Sequence, residues 1–517
     1  MRSDEGGRPA ARKRFWQSRG FIYCLLGLFI IYSVVRSLVA AHTKFFWYDE
    51  VITWAVSAQG TWHKIAIALT HSSDSHPPLF YVIEHLAFQI LPNQEVALRL
   101  PSIFAFPCTL VCVFVYVKRY SGEFLGLCSA VSLLATVLFQ FYATDARAYS
   151  MVVACLAFAL VCYQRLPSGF WAGAMAVSLV FAESLHHYAI FSVVPFGIAE
   201  VVHFVNRKEF RWRAWVALAS PLVLFFYTWP FLVALKQYYG PHMWTQSAGS
   251  SSIPAIYGSL LSLGTPIGVA LVCFLVLAMV HTHAKGRGKG TSIRNGRLST
   301  AGVALILAFL LLPPITLVTT KIVGGVLWDR YVLATLLGTA AAIGSIDYMP
   351  KGSGILVFAL FAFCIVVHEL LFWRTVSAFP LNQPIKIAES FLEQHGGTQL
   401  PIAVADGLFY LPLQHYAAPE FKNRLVYLVD ERKAVEYTGT DTIDKNIVPL
   451  RTYLSLSAPD YSAFVKTHPQ FLMYVEKPKP KFEWLSAYLA SVSCSMDVVA
   501  EDTNQRLYLV KVQSCLP

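Results

Sequence analysis

Charge is scarce in this chain. Only 14% of its 517 residues are charged, against 56% hydrophobic, whereas a soluble domain carries about a quarter charged residues. That shortage excludes a wholly soluble globular protein. Metal-cluster spacing is missing too. The ten cysteines include no CxxC pair, which excludes a zinc ribbon or a dithiol redox motif. No glycine-rich phosphate loop follows a strand. Gly286, Gly288 and Gly290 lie in a basic loop and read as flexibility. No internal repeat is visible. The net charge of +11 does not imply nucleic acid, because the basic residues sit mainly in short loops between apolar runs.

What the chain has is long apolar runs. Eleven are spanning candidates: 20–41, 99–117, 124–142, 148–164, 169–185, 189–205, 214–235, 255–280, 299–320, 330–346 and 353–373. The first follows a basic, polar start, is too long for a signal-peptide core and lacks a small-x-small cleavage site, so it is expected to stay as a helix. The stretch 77–91 is short and carries Glu84 and His85 mid-run. It is expected to lie at the membrane surface. With the N-terminus in the cytoplasm, nineteen Lys and Arg fall in cytoplasmic segments and six in outer loops. Counting 77–91 as a span inverts the later loops and loses that asymmetry.

The expected fold is therefore an α-helical polytopic membrane protein of about eleven spans with an extracytoplasmic C-terminal α/β domain. Residues 1–19 form a cytoplasmic basic N-terminus, 20–373 the membrane domain with a first outer loop at 42–98, and 374–517 the soluble part. In that part, short apolar segments (Ile402–Ala405, Leu425–Val429, Phe471–Val475) alternate with helix-like ones (Ile385–His395, Pro459–His468, Phe482–Val492). Two β-rich runs flank the turn-like Asp502-Thr503-Asn504-Gln505 and place Cys494 nearly opposite Cys515. They are candidates for a disulfide in an oxidising compartment; two unpaired buried thiols are the alternative.

Polar residues collect on the outer side. The first outer segment holds Trp47-Tyr48-Asp49-Glu50, then Asp74-Ser75-His76-Pro77-Pro78, and Arg99 at the next helix entry. Later loops hold Asp145-Ala146-Arg147-Ala148-Tyr149, Glu183-Ser184-Leu185-His186-His187-Tyr188 and Trp328-Asp329-Arg330-Tyr331. Partly desolvated groups at a membrane interface need partners, which makes them site candidates. Taken singly they also read as interfacial ion pairs, belt aromatics or a helix start with proline in its first turn. Asp49-Glu50 is the hardest to explain that way, since the loop needs no charge for solubility. An outer carboxylate suits a general base, and arginines suit a phosphate. Together at a bilayer edge they suit a lipid-phosphate leaving group.

These blocks resemble the GT-C class of membrane glycosyltransferases, in the branch of the protein O-mannosyltransferases, the lipid A aminoarabinose transferases and the RgtA/B/C/D-like bacterial transferases. The resemblance rests on Tyr48-Asp49-Glu50, His76-Pro77-Pro78-Leu79-Phe80-Tyr81, Ala97-Leu98-Arg99-Leu100-Pro101-Ser102, Asp145-Ala146-Arg147-Ala148-Tyr149-Ser150, His187-Tyr188 and Asp329-Arg330-Tyr331, in that order. It covers roughly residues 20–373. It implies inverting sugar transfer from a polyprenyl-phosphate sugar to a glycan, lipid or protein acceptor outside the cytoplasm, at the cell (inner) membrane. It implies Asp49 as base, supported by Glu50 and by Asp145 in a second acidic loop. His76, Arg99, Arg147, Tyr149, His187, Arg330 and Tyr331 would contact substrate, with Arg147 and Arg330 toward the lipid phosphate. Some members of the class bind a divalent metal. Here only Asp74, His76, His186 and His187 could serve, at no recognisable spacing, so no metal or other cofactor is assigned.

A transporter or lipid flippase is the competing reading. It predicts ionisable residues near mid-membrane and repeated halves. The helix interiors are nearly free of charge, with Glu200 and Glu369 near helix ends. A non-catalytic scaffold leaves Asp49-Glu50 and the His-Pro-Pro block unexplained.

Overall fold

The computed structural model describes residues 18–70, 74–243, 252–287, 298–323, 326–345, 353–378, 383–397 and 399–512. The basic start up to residue 17, Lys289, Arg294, Arg297, Lys351 and Cys515 lie outside them.

The apolar runs are helical. Five helices are unbroken and long enough to cross a bilayer: Arg19–Thr43, Gln94–Ser121, His187–Arg207, Trp212–His242 and Ala359–Ser377. Three further runs are bent pairs: Glu123–Ala135 with Val137–Ala143 at 81°, Ser252–Leu261 with Thr265–His281 at 86°, and Thr300–Leu310 with Leu312–Ile322 at 67°. Run length does not reveal these breaks, but local chemistry explains two of them. Pro313 and Pro314 lack the N–H groups that would bond back to Phe309 and Leu310. Ser262 adopts a positive φ of 55° after Leu261, and its hydroxyl accepts from Val137 N–H at 2.6 Å. One broken helix thus satisfies a backbone donor freed at the other, as a low-dielectric surrounding demands.

The 330–346 run yields a nine-residue helix, Thr335–Ile343, with every residue buried. A helix apolar on all sides is one enclosed by others, so this segment is bundle core. The lipid-facing surface is equally plain. Leu28, Ile31, Phe226, Tyr227 and Leu370 are large, apolar and exposed. The chain is a multi-pass membrane protein. The first and last spans are joined by Arg36 and Glu369, 2.9 Å apart, with the Tyr32 hydroxyl donating to the same carboxylate at 2.5 Å. Stretch 77–91 forms the helix Pro78–Phe88. Its eleven residues reach about 16 Å, too short to cross.

The C-terminal part holds a five-stranded mixed sheet: β1 (Ile402–Val404), β2 (Leu425–Val426), β3 (Gln470–Glu476), β4 (Ser495–Glu501) and β5 (Gln505–Lys511), in the order β2-β1-β3-β5-β4. The first three are parallel, and β5 runs antiparallel to β3 and β4. Alternation sorts the side chains into two cores. Ile402, Val404, Leu472 and Tyr474 face one layer, and Ala403, Phe471, Met473 and Val475 the other. The β4–β5 turn is held by Asp502, whose carboxylate accepts from Asn504 N–H at 2.7 Å and Gln505 N–H at 2.9 Å. Cys494 is disulfide-bonded.

The sheet domain is docked on the segment after the first span. Phe46 N–H donates to the Tyr416 hydroxyl at 2.8 Å, and the Gln383 amide to Thr43 C=O at 2.6 Å. Phe46, Tyr48, Val51 and Ile52 share an apolar cluster with Leu411 and Leu450.

Candidate active site

Asp49 and Glu50 sit in the first turn of the helix Tyr48–Ser57. Adjacent side chains on an α-helix leave the axis about 100° apart, so the two acids face different surroundings. Glu50 turns inward and is fully buried. Both its oxygens pair with Arg99 at 2.6 Å. It also accepts from Ala146 N–H at 3.0 Å and Trp47 N–H at 3.3 Å. Arg99 spends its other donors on the carbonyls of Ala41 at 2.8 Å, Lys44 at 2.7 Å and Phe45 at 3.1 Å. Burial raises the Glu50 pKa, but Arg99, Lys44 and the Ala146 N–H outweigh it and hold the carboxyl below its ordinary range.

Asp145 lies in the same layer. One oxygen accepts from Trp47 Nε1 at 2.7 Å, with Lys44 Nζ at 3.5 Å, and the other oxygen is buried without a partner. Burial, then the Glu50 charge, push its pKa up to about 7.

Asp49 differs. It is half-buried, and its carboxylate has no hydrogen bond or ion pair among the described residues. It lines a cavity of about 990 Å³. Beside it stands a clamped arginine. Arg147 Nη1 donates to Asp74 at 2.7 Å and to the Thr53 hydroxyl at 3.1 Å, and Nη2 lies 3.1 Å from His76 Nδ1. Arginine only donates, so His76 Nδ1 accepts and the ring proton sits on Nε2, which is buried without a partner. Burial and Arg147 lower the His76 pKa and keep the ring neutral. Burial raises the Asp74 pKa, but the Arg147 guanidinium outweighs it and brings it well below the usual range.

Arg330 is a cation set among aromatic rings. Its guanidinium lies over the Trp328 and Tyr331 rings at 5.3 and 5.6 Å. Its Nε is buried without a partner, and it forms no ion pair among the described residues. The neighbouring Asp329 does not neutralise it. That carboxylate accepts from the Ser259 hydroxyl at 2.6 Å and from Arg330's own backbone N–H at 2.8 Å. Tyr331 packs on Tyr188 at 4.1 Å, and His187 Nδ1 lies 3.2 Å from Glu183.

Of the residues expected from sequence, Asp49, His76, Arg147, Tyr149, His187, Arg330 and Tyr331 line this one cavity. Glu50, Arg99 and Asp145 do not. They form the enclosed layer behind the wall, and Arg99, expected to touch substrate, is fully buried. The wall also includes Asp74, His186, Lys236, Thr442 and Asn446, to which sequence reasoning gave no substrate role. Asp74 was legible only as part of the Asp-Ser-His block. Thr442 and Asn446 carry no local signal. On another side the wall is Phe225, Trp229, Leu232 and Val233. Trp229 and Val233 are 40% and 37% exposed, so this side also meets lipid. No group of three or more His, Cys, Asp or Glu among the described residues could hold a metal ion.

The fold is the GT-C glycosyltransferase fold. The chain is similar to ArnT from Cupriavidus metallidurans in the apo state, with a TM-score of 0.57, 14% identity, and 96% of this chain and 99% of that one covered. Two other solved structures align with lower scores. ArnT bound to undecaprenyl phosphate gives a TM-score of 0.41 at 14% identity over 96% and 99% of the chains. The Archaeoglobus fulgidus oligosaccharyltransferase in complex with Zn and sulfate gives 0.43 at 8% identity over 92% and 72%. No family model and no curated protein matches the sequence.

Proposed function

We propose that this protein is an inverting membrane glycosyltransferase that moves a hexosyl or pentosyl unit from a polyprenyl-phosphate donor to an extracytoplasmic acceptor. One observation carries the reading. An unpaired carboxylate, Asp49, and an unpaired guanidinium, Arg330, line the same cavity, whose far wall is apolar and lipid-facing. The GT-C fold and the motif blocks agree with it.

The chemistry follows from charge. Asp49 takes the proton of an acceptor hydroxyl as its oxygen attacks the anomeric carbon. The bond from that carbon to the phosphate oxygen breaks on the opposite face, which inverts the centre. The electron pair leaves on the polyprenyl phosphate, where negative charge grows. Arg330 meets that charge without first releasing a protein carboxylate, and Arg147 adds a second cation already oriented by Asp74. Tyr149, Tyr331 and His187 shape the sugar pocket, and His76 offers its Nε2 proton as a donor. Glu50, Arg99 and Asp145 act at one remove, by holding the turn that carries Asp49. No cofactor enters these steps. The topology is that of a cell-membrane protein with its N-terminus cytoplasmic and its sheet domain outside.

The test is transfer from undecaprenyl-phosphate sugars by the full chain in vesicles. Asp49→Asn should fold and insert normally and lose transfer. Retained transfer in that variant removes Asp49 as base. Failure of the parent chain to bind undecaprenyl phosphate removes the donor class.

A further inference from the structure

His186 stands at the centre of a wall of rings. It lies between the helix Gly169–Leu185 and the short helical turn His187–Val193. Its ring centroid is 4.7 Å from that of His76, 5.2 Å from Tyr149, 5.2 Å from Tyr331 and 5.7 Å from Tyr188. All five rings line the cavity that holds Asp49. The wall also joins the two arginines. At one end His76 meets Arg147 at 3.1 Å, and at the other Arg330 lies over Tyr331 at 5.6 Å. A sugar whose phosphate sits between Arg147 and Arg330 meets these rings.

The proton of His186 is placed by its neighbours. Tyr188 N–H donates to Nδ1 at 3.1 Å. A nitrogen that accepts carries no proton, so the ring is neutral and its single N–H is at Nε2. Burial lowers the His186 pKa, and the neighbouring histidines, Arg147 and Arg330 act the same way. Capping the Tyr188 amide uses Nδ1 alone. Nε2 has no hydrogen bond among the described residues, and the side chain is half-buried and lines the cavity. This N–H is therefore a donor that the fold does not use. The acceptor nitrogen of His76 is taken too, by Arg147.

We propose that His186 binds the donor sugar, its Nε2–H donating to a sugar hydroxyl oxygen while its ring and those of Tyr149 and Tyr331 pack on the sugar's C–H face. This rests on the glycosyltransferase reading above and adds a residue that recognises the sugar apart from its phosphate. A neutral ring suits that task. A third cation beside Arg147 and Arg330 would attract the phosphate of any donor, whatever its sugar. A neutral N–H senses whether an oxygen stands at one position, and its hydrogen bond is worth about tenfold when the loss leaves the donor unpaired.

Binding of intact donors reads this without an acceptor. The full chain in vesicles is titrated with undecaprenyl-phosphate mannose, glucose, galactose and arabinose. The reference is undecaprenyl cyclohexyl phosphate, a diester of the same charge whose ring carries no hydroxyl. At least one sugar should bind the parent chain about tenfold tighter than the cyclohexyl ester. His186→Phe keeps the ring, and His186→Asn keeps an acceptor for the Tyr188 N–H; neither sets an N–H where Nε2 stands. Both should shrink that advantage several-fold. Removing one particular hydroxyl from the tightest sugar should cost the parent about tenfold and either variant nothing further. An unchanged advantage in either variant overturns the proposal. So does a parent chain that binds no sugar tighter than the cyclohexyl ester, or one for which no single deoxy sugar binds more weakly. A parent chain that binds none of these undecaprenyl diesters instead overturns the glycosyltransferase reading beneath it.

Discussion

The layer of Glu50, Arg99 and Asp145 and the cavity wall in front of it differ in how their charges are matched. Behind the wall, Glu50 and Arg99 satisfy each other twice, and Arg99's remaining donors go to three backbone carbonyls. On the wall, Asp49 and Arg330 have no ion-pair partner among the described residues. The Glu50–Arg99 pair, matched and away from the cavity, has nothing left to offer a substrate. Its removal leaves the other charge stranded. An unmatched group at a cavity can take a proton or an anion. Two acids adjacent in sequence thus fall on opposite sides of the division between matched and unmatched charge.

Variants can break that comparison. The largest effect belongs to Asp49→Asn, which should cut the transfer rate by about 10²–10⁴-fold with the melting temperature nearly unchanged. A matched loss of stability would move Asp49 into the structural layer. Glu50→Gln should do the reverse and lower stability by about 3–5 kcal/mol, because Arg99 is left as an uncompensated buried cation. Denaturant or thermal unfolding in detergent reads this directly, and a double variant replacing both partners with apolar residues should recover part of the loss. Arg330→Ala should weaken undecaprenyl-phosphate binding by about 10–100-fold, the range for a lost charge-assisted hydrogen bond, while sparing acceptor KM. Equal loss of both would place Arg330 elsewhere.

The smallest effect is a pH slope. Asp145 has a folded pKa near 7 and an unfolded one near 4. The folded state therefore holds the extra proton between those values, and stability falls as pH rises from about 4 to about 7, then levels off. Asp145→Asn should flatten that segment of a melting-temperature profile. A slope that persists in the variant assigns the proton to another group.

Much of this was legible in one dimension. Of the eleven runs expected to span, five unbroken helices and three bent pairs among the described residues are long and apolar enough to cross, and these follow from apolar length, because a bilayer demands about 20 apolar residues per helix. The three parallel strands of the sheet were visible as short apolar segments, and the β4–β5 turn as Asp-Thr-Asn-Gln. Seven of the site residues expected from sequence line the cavity. The helix break at Pro313-Pro314 carries its own sequence signal, whereas the one at Ser262 was not legible, since mean hydropathy does not register a turn. Nor was the division between Asp49 and Glu50, because a loop reading of that segment lets both acids face the same way.

The sequence alone determined that this chain spans a membrane several times and that acids, histidines and arginines stand in the short segments between its apolar runs. Those properties follow from composition and spacing, which are local. Only the tertiary structure decided which charges are matched. Glu50 meets Arg99 across 49 residues and Arg147 meets Asp74 across 73, while Asp329 turns from Arg330 to Ser259. Pairing depends on distance and direction in three dimensions, and it is pairing that leaves Asp49 and Arg330 without an ion-pair partner among the described residues.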